Sequence, residues 1–84
     1  MSEINSNYQL KIFPNPFNDN FTVATTFTNN YEFSLTDLNG RFLLKTFSQE
    51  KNLEIDNLQL ENGIYFYTIK TEDGLSYNGK IIKN

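Results

Sequence analysis

The sequence predicts a small all-β sandwich of about seven antiparallel strands. Short alternating apolar segments recur through the chain, separated by turn chemistry roughly every 8–12 residues. No segment sustains a helical period between caps. At 84 residues the chain is one domain. Seven short strands in a single open sheet would leave a long apolar face in water, so closure into two layers follows.

The first strand contains Leu10 and Ile12, alternating with Gln9 and Lys11, and it ends at Phe13. Pro14 and Pro16 have no N–H to give a ladder, and each biases its predecessor toward extended backbone. Phe17 is therefore expected on a stiff extended arm. Asn18-Asp19-Asn20 is turn chemistry before a β-branched strand over residues 21–27. Asn29 and Asn30 both tolerate positive φ, so a two-residue hairpin is expected there. In the strand that follows, Tyr31, Phe33 and Leu35 share one face, and Glu32, Ser34 and Thr36 the other.

Asn39-Gly40 is the preferred pair for a type I′ turn and predicts a hairpin into residues 41–47. A polar stretch over residues 48–52 precedes a short strand at Leu53-Glu54-Ile55, and Leu58 and Leu60 are spaced to fold back onto the core. Asn62-Gly63 launches a strand over residues 64–71 that is apolar on both faces, the mark of a central strand. Asp73-Gly74 predicts a further tight hairpin into residues 75–83. Gly40 and Gly63 are expected at positive φ. Parity assigns Leu10, Ile12, Val23, Phe33, Leu35, Ile64 and Phe66 to one core. On that assignment Phe66→Ala costs roughly 3–5 kcal/mol. In the last strand Leu75, Tyr77 and Ile81 are expected to pack while Lys80 projects from the opposite face. Lys83 shares the parity of Ile81 but can snorkel to water at the chain end.

Composition excludes several classes of chemistry. There is no Cys and no His, so disulfide staples, the common zinc and haem sites and the usual nucleophilic triads cannot be assembled. Eight Phe and five Tyr supply the burial instead. Paired carboxylates at Glu72-Asp73 and Glu54 with Asp56 fall in turns or on exposed strand positions, where solvated turn residues are the ordinary reading. Asn18-Asp19-Asn20 offers oxygens to calcium, but one Asp is little charge for such a site. No catalytic residue, metal or cofactor is expected. The net charge is −3 with scattered basic residues, which argues against a nucleic-acid footprint. Ile64-Tyr65-Phe66-Tyr67 is far too short to span a bilayer. Residues 1–7 are polar, resemble no signal peptide and read as a linker remnant. The chain is thus either cytosolic or a piece cut from a longer exported protein.

Four segments in order carry a resemblance. They are Ile12-Phe13-Pro14-Asn15-Pro16-Phe17, then Leu35-Thr36-Asp37-Leu38-Asn39-Gly40-Arg41, then Leu58 through Asn62-Gly63-Ile64-Tyr65, and finally Gly79-Lys80-Ile81-Ile82-Lys83. Together they resemble the C-terminal sorting domain of the type IX secretion system of Bacteroidetes, with a type A sorting signal. The resemblance covers residues 8–84. It implies an immunoglobulin-like sandwich that serves as a non-catalytic address on an N-terminal cargo protein. The implied partners are the outer-membrane translocon and a sortase-type cysteine protease that then usually removes the domain. The implied route runs through the periplasm to the cell surface or the medium. The motif residues it implies are Pro14, Asn15, Pro16, Gly63, Tyr65, Lys80 and Lys83.

A second class stays open on the sequence. Sandwiches often bind glycans on aromatic platforms, and Tyr65 and Tyr67 share a face with Tyr77 on the next strand. An adhesion or carbohydrate-binding module would use them so, whereas a core face with hydroxyls at its rim uses the same residues for packing.

Overall fold

The computed structural model describes residues 10–26, 29–56 and 59–84. Among them seven strands form: β1 (Leu10–Phe13), β2 (Phe21–Thr25), β3 (Tyr31–Thr36), β4 (Phe42–Ser48), β5 (Asn52–Ile55), β6 (Gly63–Thr71) and β7 (Ser76–Lys83). They make two antiparallel sheets, a three-stranded one in the order β1-β2-β5 and a four-stranded one in the order β4-β3-β6-β7. The sandwich that the alternation predicts is the fold observed.

Between the sheets lie Phe17, Phe21, Val23, Tyr31, Phe33, Leu35, Ile55, Tyr65, Ile69 and Ile81. Leu10 and Ile12 pack against this core from β1. An aromatic path crosses it, with Phe17 edge-on to Phe21 at 4.9 Å, Phe21 to Phe33 at 5.9 Å and Phe33 stacked on Tyr67 at 6.3 Å. In a domain this small, with no disulfide, such large buried rings supply most of the apolar burial. Tyr31 also ties β3 to the connection between β4 and β5, its hydroxyl donating to the Glu50 carbonyl at 2.7 Å.

Strand β6 is central, as its two apolar faces predict, but the face turned inward is the other one. Tyr65 and Ile69 are buried, while Ile64 and Phe66 are each 40% exposed. Opposite Leu35 of β3 stands Tyr67, and opposite Thr36 stands Phe66, so register with β3 decides the question. The assignment of Ile64 and Phe66 to the core is therefore corrected, and with it the large cost expected for Phe66→Ala. Parity within a strand says which residues go together; it does not say which set faces in when both are apolar. Leu75 is also exposed, because it lies in the turn before β7 begins at Ser76.

The two glycine hairpins form with one loop geometry in common. At Asn39-Gly40 the Gly40 N–H reaches the Asp37 carbonyl at 3.1 Å and the Asp37 N–H reaches the Arg41 carbonyl at 3.1 Å. At Asp73-Gly74 the Gly74 N–H reaches the Thr71 carbonyl at 3.1 Å and the Thr71 N–H the Leu75 carbonyl at 2.8 Å. Both hairpins thus form with three-residue loops closing on a positive-φ Gly (φ 84 at Gly40, 97 at Gly74), which at Asn39-Gly40 stands in place of the expected two-residue type I′ turn. A side chain caps each loop: Asp37 Oδ1 accepts from Arg41 N–H, and Thr71 Oγ1 accepts from Leu75 N–H. The capping residue stands before the Gly pair, which is why the pair alone misleads. Gly63 also has positive φ, at 151.

The hairpin expected at Asn29-Asn30 does not form. β2 and β3 belong to different sheets, and their connection crosses between layers. Phe27 and Leu58 lie outside the described residues.

Candidate functional site

Among the described strands β7 is an edge of the four-stranded sheet, with β6 as its one strand neighbour. An edge leaves every second residue with its N–H and C=O pointing outward. On β7 two residues from the far end of the chain answer those groups. The Phe17 N–H donates to the Ile82 carbonyl at 2.8 Å, and the Phe17 carbonyl accepts from the Asn84 N–H at 2.9 Å. That is a one-residue parallel bridge around Lys83. One step earlier the carboxamide of Asn15 does the same work. Its Nδ2 donates to the Lys80 carbonyl at 3.3 Å and its Oδ1 accepts from the Ile82 N–H at 3.0 Å.

Chemistry explains the residue type. A parallel neighbour must present one donor and one acceptor around Ile81, which is what a peptide group provides. Asn carries both on its side-chain amide, whereas Pro14 and Pro16 have no N–H of their own to offer. The chain bends through residues 14–16, with cis peptide bonds before both prolines. The stiff extended arm is thereby corrected: the segment is folded, and it seats Phe17 in the core at 0% exposure. Strand parity could not find Phe17, because bends separate it from β1.

On the other side of β7 stand the glycine-motif residues. Gly63 is opposite Lys83, and Tyr65 is opposite Ile81. Tyr65 is buried, and its hydroxyl donates to the Glu61 carbonyl. Pro14-Asn15-Pro16, Gly63-Ile64-Tyr65 and the terminal Lys80–Lys83 segment are therefore brought to one place, with β7 bracketed between the other two. The two lysines are not brought to one face. Lys80 is exposed opposite Phe66 on the outer face of the sheet, while Lys83 shares the inward parity of buried Ile81. Lys83 Nζ turns back to the Asn84 carbonyl oxygen at 2.8 Å.

One contact has no counterpart in the motifs. Gly79 is directly opposite Tyr67, and a Cβ at Gly79 would meet the Tyr67 hydroxyl oxygen at 2.6 Å and two ring carbons at 2.8 Å. The ring lies across the glycine, an arrangement that covers bare backbone with an aromatic face. Burial pushes the Tyr67 phenol above its ordinary range.

Among the described residues no cluster of three metal-ligating side chains forms, and no helix is long and apolar enough to cross a membrane. Tyr65, Tyr67 and Tyr77 belong to the core or pack against it, which is the packing reading of those three residues.

The fold defines the class. The chain is similar to a DUF3244-family protein of immunoglobulin-like β-sandwich fold from Bacteroides vulgatus, with a TM-score of 0.79 at 14% identity over 94% of this chain and 88% of that one. It is also similar to part of PorZ, a surface component of the type-IX secretion system of Porphyromonas gingivalis, with a TM-score of 0.77 at 19% identity. That match covers 89% of this chain and 11% of PorZ. No curated protein matches the sequence. The family model of the secretion system C-terminal sorting domain matches residues 11–84. The chain belongs to that family, the type IX sorting domain, and its fold is an immunoglobulin-like sandwich. A domain of this family acts with the secretion machinery, and the protein that carries it is exported to the cell surface or beyond.

Proposed function

We propose that this domain is a non-catalytic address, read by the outer-membrane type IX translocon while an N-terminal cargo waits in the periplasm. After passage a sortase-type cysteine protease removes it, and the cargo stays on the surface or enters the medium. Pro14, Asn15, Pro16, Gly63, Tyr65, Lys80 and Lys83 form the address. Asn15, Gly63 and Tyr65 hold β7 in place, the prolines shape the segment that carries Asn15, and the lysines present charge. The observation that supports this reading is the convergence of three separated segments on one sheet edge, closed by Asn15 on Lys80 and Ile82.

The test is a reporter with a signal peptide, fused ahead of the whole chain, in a type IX-competent host and in the same host lacking the translocon. Export in the first strain only is expected. Equal retention in both would end the reading, and a glycan-dependent rise in unfolding temperature would favour an adhesion module instead.

A further inference from the structure

The outer faces of the two sheets are unlike. On the three-stranded sheet the outward positions are Lys11 and Phe13 of β1, half-buried Thr22 of β2, and Asn52 and Glu54 of β5, with Phe13 the one large apolar side chain among them. On the four-stranded sheet one row runs Phe42, Thr36, Phe66, Lys80 across all four strands, and Ile64 stands opposite Ile82 beside it. Phe42 is 57% exposed, and Ile64 and Phe66 40% each. Lys45 folds over the Phe42 ring at 4.5 Å. Among the described residues no carboxylate lies within ion-pair distance of Lys45 or Lys80. Among the described residues the face carries Lys45, Lys70 and Lys80 against one carboxylate, Glu32, in a chain whose net charge is −3.

We infer that this face is a docking surface for an acidic protein surface of the secretion machinery, with Phe42, Ile64, Phe66 and Ile82 as the apolar centre and Lys45 and Lys80 as its charged rim. The inference rests on the sorting reading and extends the address from the β7 edge to the adjoining face. Apolar side chains flanked by cations, with the opposite charge depleted, are the composition of an interface whose partner is acidic. A lipid surface is the poorer fit. Three lysines give only about 1 kcal/mol each at an anionic membrane, and Phe42 and Phe66 lie within strands rather than on a projecting loop.

The experiment uses the same reporter fusion, with Lys45→Glu and Phe66→Ser combined. Neither residue belongs to the motifs at the β7 edge. Export about tenfold below the parent is expected, the loss typical of one interface anchor, in a chain that still unfolds cooperatively and loses no more stability than truncation of a half-exposed Phe66 entails. A charge reversal of equal size on the opposite face, Glu54→Lys, should export as the parent does. Should the double variant unfold, Lys45→Glu alone decides, since its side chain is exposed. Parental export by a folded variant overturns the inference and leaves the sorting reading standing. No export by the parent overturns both. A photo-crosslinker at Phe42 is expected to capture a secretion-machinery protein through an acidic peptide; capture of a second copy, or binding of the chain to phosphatidylglycerol vesicles, contradicts it.

Discussion

The Asn15 carboxamide accepts the Ile82 N–H at 3.0 Å, 67 residues along the chain, and so acts as a surrogate peptide group on the edge of the last strand. The same amide donates to the Lys80 carbonyl. An edge strand held at two consecutive outward positions is more closely fixed than its place at the chain end suggests. It also cannot offer those groups to another strand, which blunts edge-to-edge pairing at this end of β7.

Asn15→Ala removes both bonds and should destabilise the domain by about 1–3 kcal/mol, one ordinary increment for each. Asn15→Asp keeps an acceptor for the Ile82 N–H but sets a carboxylate oxygen against the Lys80 carbonyl, so it should not restore the loss. Urea unfolding of the two variants beside the parent checks this. Parental stability in Asn15→Asp would mean that the bond to Lys80 contributes nothing.

Phe17 and Phe66 should separate by several-fold. Phe17→Ala opens the core beside Phe21 and is expected to cost about 3–5 kcal/mol. Phe66→Ala, at an outward position, should cost under about 1.5 kcal/mol, since much of its ring already meets water. Equal losses in denaturant unfolding would contradict the register of β6 on β3.

At Gly79 the obstacle is the Tyr67 ring. Gly79→Ala forces that ring off the strand, an overpacking cost of about 1–3 kcal/mol. Combining it with Tyr67→Ala should bring the additional loss from the alanine at 79 close to zero, since the clash is gone. Additive losses in this double-mutant cycle would place the strain elsewhere.

Acid should loosen the β3–β4 hairpin first. Asp37 is held below its ordinary value of 3.8, chiefly by the Arg41 N–H, with the Asn39 N–H and the Arg41 guanidinium adding to it. A carboxyl with a depressed folded pKa contributes stability above its unfolded value, and that contribution is lost as pH falls through the folded one. The protection of the Arg41 N–H against exchange, relative to an unstructured amide at the same pH, should therefore fall below about pH 4. In Asp37→Asn that extra acid sensitivity should vanish; if it persists, the cap is not its source.

Much of the fold was legible because strand parity and turn residues act locally. β3 shows this: Tyr31, Phe33 and Leu35 alternate with polar residues, and all three are buried. β6 marks the limit, since apolar groups on both faces leave the choice to register with β3. The hairpin loops were displaced because Asp37 and Thr71, capping from ahead of the glycine, set the loop length. For the site, the motif residues were legible as an ordered set, and the placing of Lys80 and Ile81 on opposite faces of β7 followed from alternation. The Asn15 bonds were not, because a contact across 67 residues leaves no local pattern. Phe17 was hidden for the same reason, as the bends at residues 14–16 break the parity that β1 establishes.

The central claim is that the β7 edge, assembled by Asn15 and Phe17, is an address as well as a piece of the fold. Its most direct test replaces Lys80 and Lys83 together with Gln in the reporter fusion. The measurement is reporter in the medium against reporter kept in the periplasm, with thermal unfolding of each chain alongside. Lys80 is exposed and Lys83 reaches only the last residue, so the fold should stand while the balance moves toward the periplasm. Full export by a folded variant would contradict the claim.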